Sequence, residues 1–180
     1  MEGQTKLTIE PAYDSLDEIL ELFGEYTAML GIDLSFQNYE QERVSLPGKY
    51  APPNGRLYLA RSNGAPAGCV ALRPWKESIE EPSAESRQTK PRQASTEDSP
   101  STCEMKRLYV RPAFRGLKLG RLLIEKVIRE SREIGYSRIL LDTFARLEVS
   151  LALYKKLGFH EIAPYYHNPY PGVVYLSLNL

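Results

Sequence analysis

Residues 111–123 read RPAFRGLKLGRLL, with basic side chains and two glycines where a strand gives way to a helix. A helix N-terminus offers unpaired N–H groups and about half a positive charge, so it takes phosphate readily. Gly116 and Gly120 have no Cβ to hold a ligand off the backbone, and Arg115, Lys118 and Arg121 add charge around the same turn. Turns of this composition also precede helices that bind nothing, and the stretch alone does not decide between the two. Two phosphate loops are excluded by spacing. GxxxxGK[ST] is absent because Gly116 is followed by Gly120 and then Arg121, and GxGxxG fails at Lys118. Neither a nucleotide kinase nor a dinucleotide oxidoreductase is supported.

Other chemistry is sparse. His160 and His167 stand apart from cysteine or acid clusters, so no metal site is expected. No Ser–His–Asp order stands out, and Cys69 and Cys103 read as reduced, buried thiols. The segment APYYHNPYPG gathers Tyr165, Tyr166, His167, Asn168 and Tyr170, either to wall a pocket or to pack as a tyrosine-rich turn on a sheet.

The elements that must carry these residues are legible from periodicity. A short strand near 6–9 ends at Pro11. DSLDEILELFGEYTAML then keeps Leu16, Ile19, Leu20, Phe23, Thr27 and Leu30 on one helical face, with Ser15 and Glu18 spaced as a capping box. A weaker helix is expected over 36–44, and strands over 56–61 and 68–72 flank a hairpin turn. CEMKRLYV is a strand, 117–134 a helix stopped by Gly135, and SRILLDT a strand buried on both faces. A helix over 149–157 and strands over 159–162 and 173–180 follow; Val174, Leu176, Leu178 and Leu180 alternate onto one face. The order β-α-α-β-β-β-α-β-α-β-β makes this an α/β chain with at least one parallel strand pair. In CEMKRLYV the step from Met105 to Leu108 has the wrong parity for one face. Either a bulge near Lys106 and Arg107 repairs it, or Met105 faces the opposite layer.

These stretches together resemble the GNAT superfamily of acetyl-CoA-dependent N-acetyltransferases. The likeness runs through EMKRLYVRPAFRGLKLGRLL, ILLDT and ALYKKLGFHEI, and more loosely through the opening strand and helix and the last strand. The family's loop is usually [QR]-x-x-G-x-[GA]; Arg115 and Gly120 fill its ends, and Lys118 stands where the middle Gly is usual. The resemblance implies a mixed, centrally splayed β-sheet flanked by helices, forming one N-acetyltransferase domain over 1–180. Acetyl-CoA would lie between EMKRLYV and ILLDT. Its pantetheine would pair with backbone at Leu108, Tyr109 and Val110, and its pyrophosphate would meet main-chain N–H groups of Arg115, Gly116, Leu117, Lys118, Leu119, Gly120 and Arg121. Asp142 and Thr143 are further pantetheine contacts, or turn and capping residues.

For the reaction, an amine must lose a proton as it attacks the thioester. Glu104 is the candidate general base, direct or through water, and otherwise a solvated acid at a strand start. The amide of Leu108 or its neighbour would face the oxyanion. Tyr154 matches the family's tyrosine that protonates the CoA thiolate, and is otherwise a core aromatic beside Leu151, Leu153 and Leu157. Leu147 stands where the motif often has Asn, so that cofactor contact is expected to be missing. Acceptor-pocket candidates are Tyr26, Phe36, Gln37, Tyr50, Arg107, Tyr165, Tyr166 and Asn168; Arg107 would clasp a substrate carboxylate or face solvent. The acceptor expected is a small-molecule amine. The alternatives are a peptide or protein amine, or a CoA-binding sensor or adaptor without turnover.

Composition is consistent with this. The chain has 180 residues, 42% of them apolar, and 23 basic against 23 acidic side chains, so neither nucleic acid nor membrane is an expected partner. No apolar run approaches the ~20 residues that span a bilayer. A cytoplasmic monomer or homodimer is expected. Residues 76–100 hold almost nothing that could be buried, and read as a disordered insertion.

Overall fold

The structure, a computed structural model, describes residues 5–75 and 101–180. The expected insertion over 76–100 lies outside the described residues. Seven strands form one sheet in the order β1-β2-β3-β4-β5-β7-β6. They are β1 Leu7–Pro11, β2 Arg56–Ser62, β3 Ala65–Pro74, β4 Thr102–Val110, β5 Arg138–Phe144, β6 His160–Ile162 and β7 Val173–Asn179. The main helices are α1 Leu16–Leu30, α2 Tyr39–Val44, α3 Leu119–Ile134 and α4 Glu148–Lys156. All neighbours are antiparallel except β4 and β5. No described helix is long and apolar enough to cross a membrane.

Two apolar clusters cover the two faces of the sheet. One centres on α3, whose Leu119, Leu123, Ile124 and Val127 meet Val70, Leu72, Met105, Ile139 and Leu141. The expected inward face of β7 is there too, with Leu176 buried and Val174, Leu178 and Leu180 packed on it. The other sets Ile19, Leu22 and Phe23 of α1 against Leu57, Leu59, Cys69 and Ala71. Leu123 is fully buried at the middle of the α3 interface. Leu123→Ala should therefore lower the unfolding free energy by about 2–5 kcal/mol, read from denaturant midpoints at unchanged m-value.

Ser15 takes the N-cap position of α1, but the capping box does not form. Arg61 donates to both Glu18 oxygens at 2.9 and 2.6 Å and reaches the Ser15 hydroxyl, so a charged tertiary partner outcompetes the local cap. The weaker helix expected over 36–44 is split into a 3-10 turn and α2 by Asn38, whose φ is 56°. The bulge is present. Cys69 pairs with Tyr109 and Ala71 with Lys106, leaving an extra residue on β4, and Arg107 holds φ of 59°.

Candidate active site

Parallel pairing of β4 with β5 covers only Thr102, Cys103 and Glu104 against Arg138, Ile139 and Leu140. Beyond Glu104 no ladder joins the two strands, although β3 and β7 continue to pair with their outer edges. The sheet opens there into a cleft of about 900 Å³. Its walls are the open edges of β4 and β5, its floor carries Leu153 and Tyr154 of α4, and Tyr26, Leu30 and Gln37 close the opposite side.

At one end lies the turn into α3. Gly116 has φ of 88°, and Lys118 holds φ of 62° at the N-cap, so a lysine adopts the left-handed conformation usually left to glycine. The first backbone bond of α3 is from Leu122 N–H to the Lys118 carbonyl at 3.1 Å. Among the described residues, no protein acceptor takes the N–H groups of 116–121. A Cβ on Gly116 would meet nothing within 4 Å, and one on Gly120 would only touch Leu153 and Val110 at 3.8 and 3.9 Å. The turn thus presents a row of free donors over open space, ringed by the exposed Arg115, Lys118 and Arg121. This donor set fits a diphosphate. Leu117 turns its side chain to the α3 core and contributes its main chain alone.

At the other end, three ion pairs are built into the walls and behind them. Lys106 Nζ is 3.1 Å from Asp142 and 3.6 Å from Glu104; Arg73 holds Glu104 at 2.6 Å; Arg107 holds both Glu42 oxygens at 2.8 Å. Burial would raise the Asp142 carboxyl, but the Lys106 charge and the hydrogen bonds it receives win, and the group lies below its ordinary range. Glu42 is likewise lowered, with Arg107 overcoming burial. Burial, aided by the charges of Tyr26 and Asp142, pushes the Tyr154 hydroxyl well up, and burial holds Tyr26 at about 12.

The comparisons with known proteins agree with this geometry. The family model for the acetyltransferase (GNAT) family matches residues 16–159. An uncharacterized N-acetyltransferase of Schizosaccharomyces pombe is 42% identical over 166 residues, covering 92% of this chain and 88% of its own. One from Dictyostelium discoideum is 36% identical, covering 96% and 98%. The chain belongs to the GNAT acetyltransferase family. Its fold is shared with a Streptococcus agalactiae acetyltransferase (TM-score 0.70, 21% identity, all of both chains). It is also shared with Salmonella typhimurium YncA, solved with its cofactor acetyl-CoA (TM-score 0.62, 19% identity, 96% and 93% covered). As a GNAT enzyme this chain is an acyltransferase, and the splayed strands and the loop into α3 are where the resemblance located them.

Of the residues expected at this GNAT site, the cleft gathers Tyr26, Leu108, Tyr109, Val110, Arg115, Gly116, Lys118, Leu119, Gly120, Arg121, Asp142, Thr143, Tyr154 and Asn168. Five others stand elsewhere. Glu104 is fully buried behind the wall, taken up by Arg73, Lys106 and the Tyr165 hydroxyl at 2.9 Å; it is not a solvated acid. Tyr165 and Tyr166 stack with Trp75 and Tyr175 outside the cleft lining, ring centroids 4.8–6.2 Å apart. Phe36 packs on Tyr170 at 5.8 Å in the α1 cluster, and Tyr50 is buried edge-on against Phe23. Arg107 lines the cleft, yet its guanidinium is paired with Glu42 and lies over the Tyr39 ring; it neither faces solvent nor stands free for a carboxylate. Glu42 and Arg73 went unread in the sequence, because nothing local marks a partner 31 or 65 residues away, and Trp75 because its partners Tyr165 and Tyr166 lie farther still.

Proposed function

We propose that the chain transfers an acetyl group from acetyl-CoA to the amine of a small molecule by direct attack in a ternary complex. The observation that carries this is the opened β4–β5 edge running from the free donors at 116–121 to Tyr154 and Asp142. Bound acetyl-CoA would supply the activated thioester. The N–H groups from Gly116 to Arg121 would hold its diphosphate, and the edge of β4 away from β3, free from Leu108 to Val110, would take the pantetheine as an added strand. Arg107 and Leu108 fall in the register gap of the bulge, which leaves the Leu108 amide to donate to the thioester oxygen as charge grows on it.

Deprotonation is divided between two carboxylates. Asp142 stands at the cleft wall, and Glu104, the base expected from the sequence, stands behind it across Lys106 Nζ. Asp142 receives the amine proton, directly or through water, and Glu104 stands 3.6 Å from Lys106 Nζ behind it. Tyr154 returns a proton to the departing thiolate. Because Asp142 is held below the ordinary carboxylate range, it stays ionised throughout neutral pH. The acid limb of kcat/KM should therefore follow the amine, rising towards its own pKa near ~10. Thiol release with acetyl-CoA and an amine panel tests the proposal. Turnover is expected, with Asp142→Asn slowing it on the order of 100-fold and Glu104→Gln less. A Glu104→Gln loss exceeding that of Asp142→Asn would return the base role to Glu104, and no turnover with any amine would refute the proposal.

A further inference from the structure

We infer that the acceptor is an amine whose body near the reacting nitrogen is apolar and uncharged, and that the enzyme discriminates against α-amino acids. The inference rests on the cleft being the acetyl-transfer site. The observation is that every buried charge at the acceptor end already has an opposite partner. Lys106 is matched by Asp142, Arg73 by Glu104 and Arg107 by Glu42, three cations against three acids. The Lys106, Arg107 and Glu104 side chains are 7%, 2% and 0% exposed, so water screens them little. A substrate carboxylate entering here finds no unpaired cation among the buried side chains and must either stay desolvated without a partner or break a pair. What remains on this part of the wall is Ile32, Leu34, Leu141 and Phe144, with the neutral amides of Gln37 and Asn168.

Gln37 and Asn168 add direction. Both donate to the Tyr166 hydroxyl, at 3.1 and 3.2 Å, while Gln37 Oε1 is buried without a partner. The unmet group is thus a hydrogen-bond acceptor, suited to an N–H and not to a carboxylate oxygen. Cations without acidic partners among the described residues do line the cleft, as Arg115, Lys118, Arg146 and Lys156, but all four are exposed to water, and Arg146 lies over the Phe144 ring at 5.0 Å and donates to the Leu30 carbonyl.

The test is a matched pair of acceptors given to the full chain with acetyl-CoA: 2-phenylethylamine, and phenylalanine, which adds an α-carboxylate to the same skeleton. The amine is expected to exceed the amino acid in kcat/KM on the order of 100-fold. Glu42→Gln, which frees the Arg107 guanidinium, should narrow that ratio by about tenfold in favour of phenylalanine. A loss of packing alone would lower both rates together and leave the ratio unmoved. Equal or reversed preference in the unaltered enzyme overturns the inference, as does a ratio unmoved by Glu42→Gln. Failure of both acceptors while CoA still raises Tm overturns it too and leaves the CoA site standing. Absence of any Tm shift with CoA overturns the underlying reading as well.

Discussion

Tyr154→Phe is expected to lower kcat by on the order of 100-fold while changing the acetyl-CoA KM by less than about threefold. Tyr154 lines the cleft from α4, and burial keeps its hydroxyl protonated well beyond the ordinary tyrosine range. It is therefore a proton donor at every working pH, and kcat should show no alkaline loss near ~10 from this group. The ring packs against Phe159 at 5.7 Å, a contact that phenylalanine retains. Among the described residues the hydroxyl has no hydrogen-bond partner, so its removal orphans nothing and Tm should move by no more than ~2 °C. Steady-state thiol release and thermal unfolding on the same preparation separate the two effects. An unchanged kcat would return Tyr154 to the role of a core aromatic.

Gly120→Asp should weaken CoA binding by on the order of 10²–10³-fold while making the free protein slightly more stable. Position 120 is the second residue of α3, and a Cβ there meets only ordinary contacts at 3.8 and 3.9 Å. Replacing glycine inside a helix gains roughly 0.5–1 kcal/mol, and an acid in the first turn adds about 0.3–1 kcal/mol. The same carboxylate points its charge to the place assigned to the diphosphate, where two like charges about 4 Å apart repel by about 4 kcal/mol at an effective dielectric near 20. Titration calorimetry with CoA, beside the Tm of the free protein, reads both signs. Gly120→Ala serves as the control that adds the Cβ without the charge. A higher Tm with an unaltered CoA affinity would mean that no phosphate sits on this turn.

Much of the fold was legible because the signals were local and periodic. The alternation in β7 and the leucine spacing in α3 identified their inward faces, and the parity break between Met105 and Leu108 left two arrangements open, of which the structure has the bulge at Arg107. The turn into α3 was legible for the same reason: its glycines, basic residues and following helix lie within a dozen positions. Lys118 shows the limit of that reasoning, since its positive φ is imposed by the turn against the preference of its own side chain. Charges were less legible. Glu18 was assigned to a local cap and went to Arg61, Glu104 was assigned to the cleft and went behind it, and Arg107 was offered to a substrate and went to Glu42. In each case an arginine far along the chain offers a charge-assisted, two-pronged partner that no neighbouring residue can match. Sequence spacing reports which faces are buried; it does not report which ion pairs form there.

Together, the edge of β4 left free by β5 and the donors at the start of α3 form the proposed CoA site. A crystal structure of the chain with CoA measures this directly. The diphosphate is expected within hydrogen-bond distance of N–H groups between Gly116 and Arg121, the pantetheine along Leu108 to Val110, and the sulfur near the Tyr154 hydroxyl. CoA bound elsewhere, with β4 and β5 paired past Glu104 and Leu140, would contradict it.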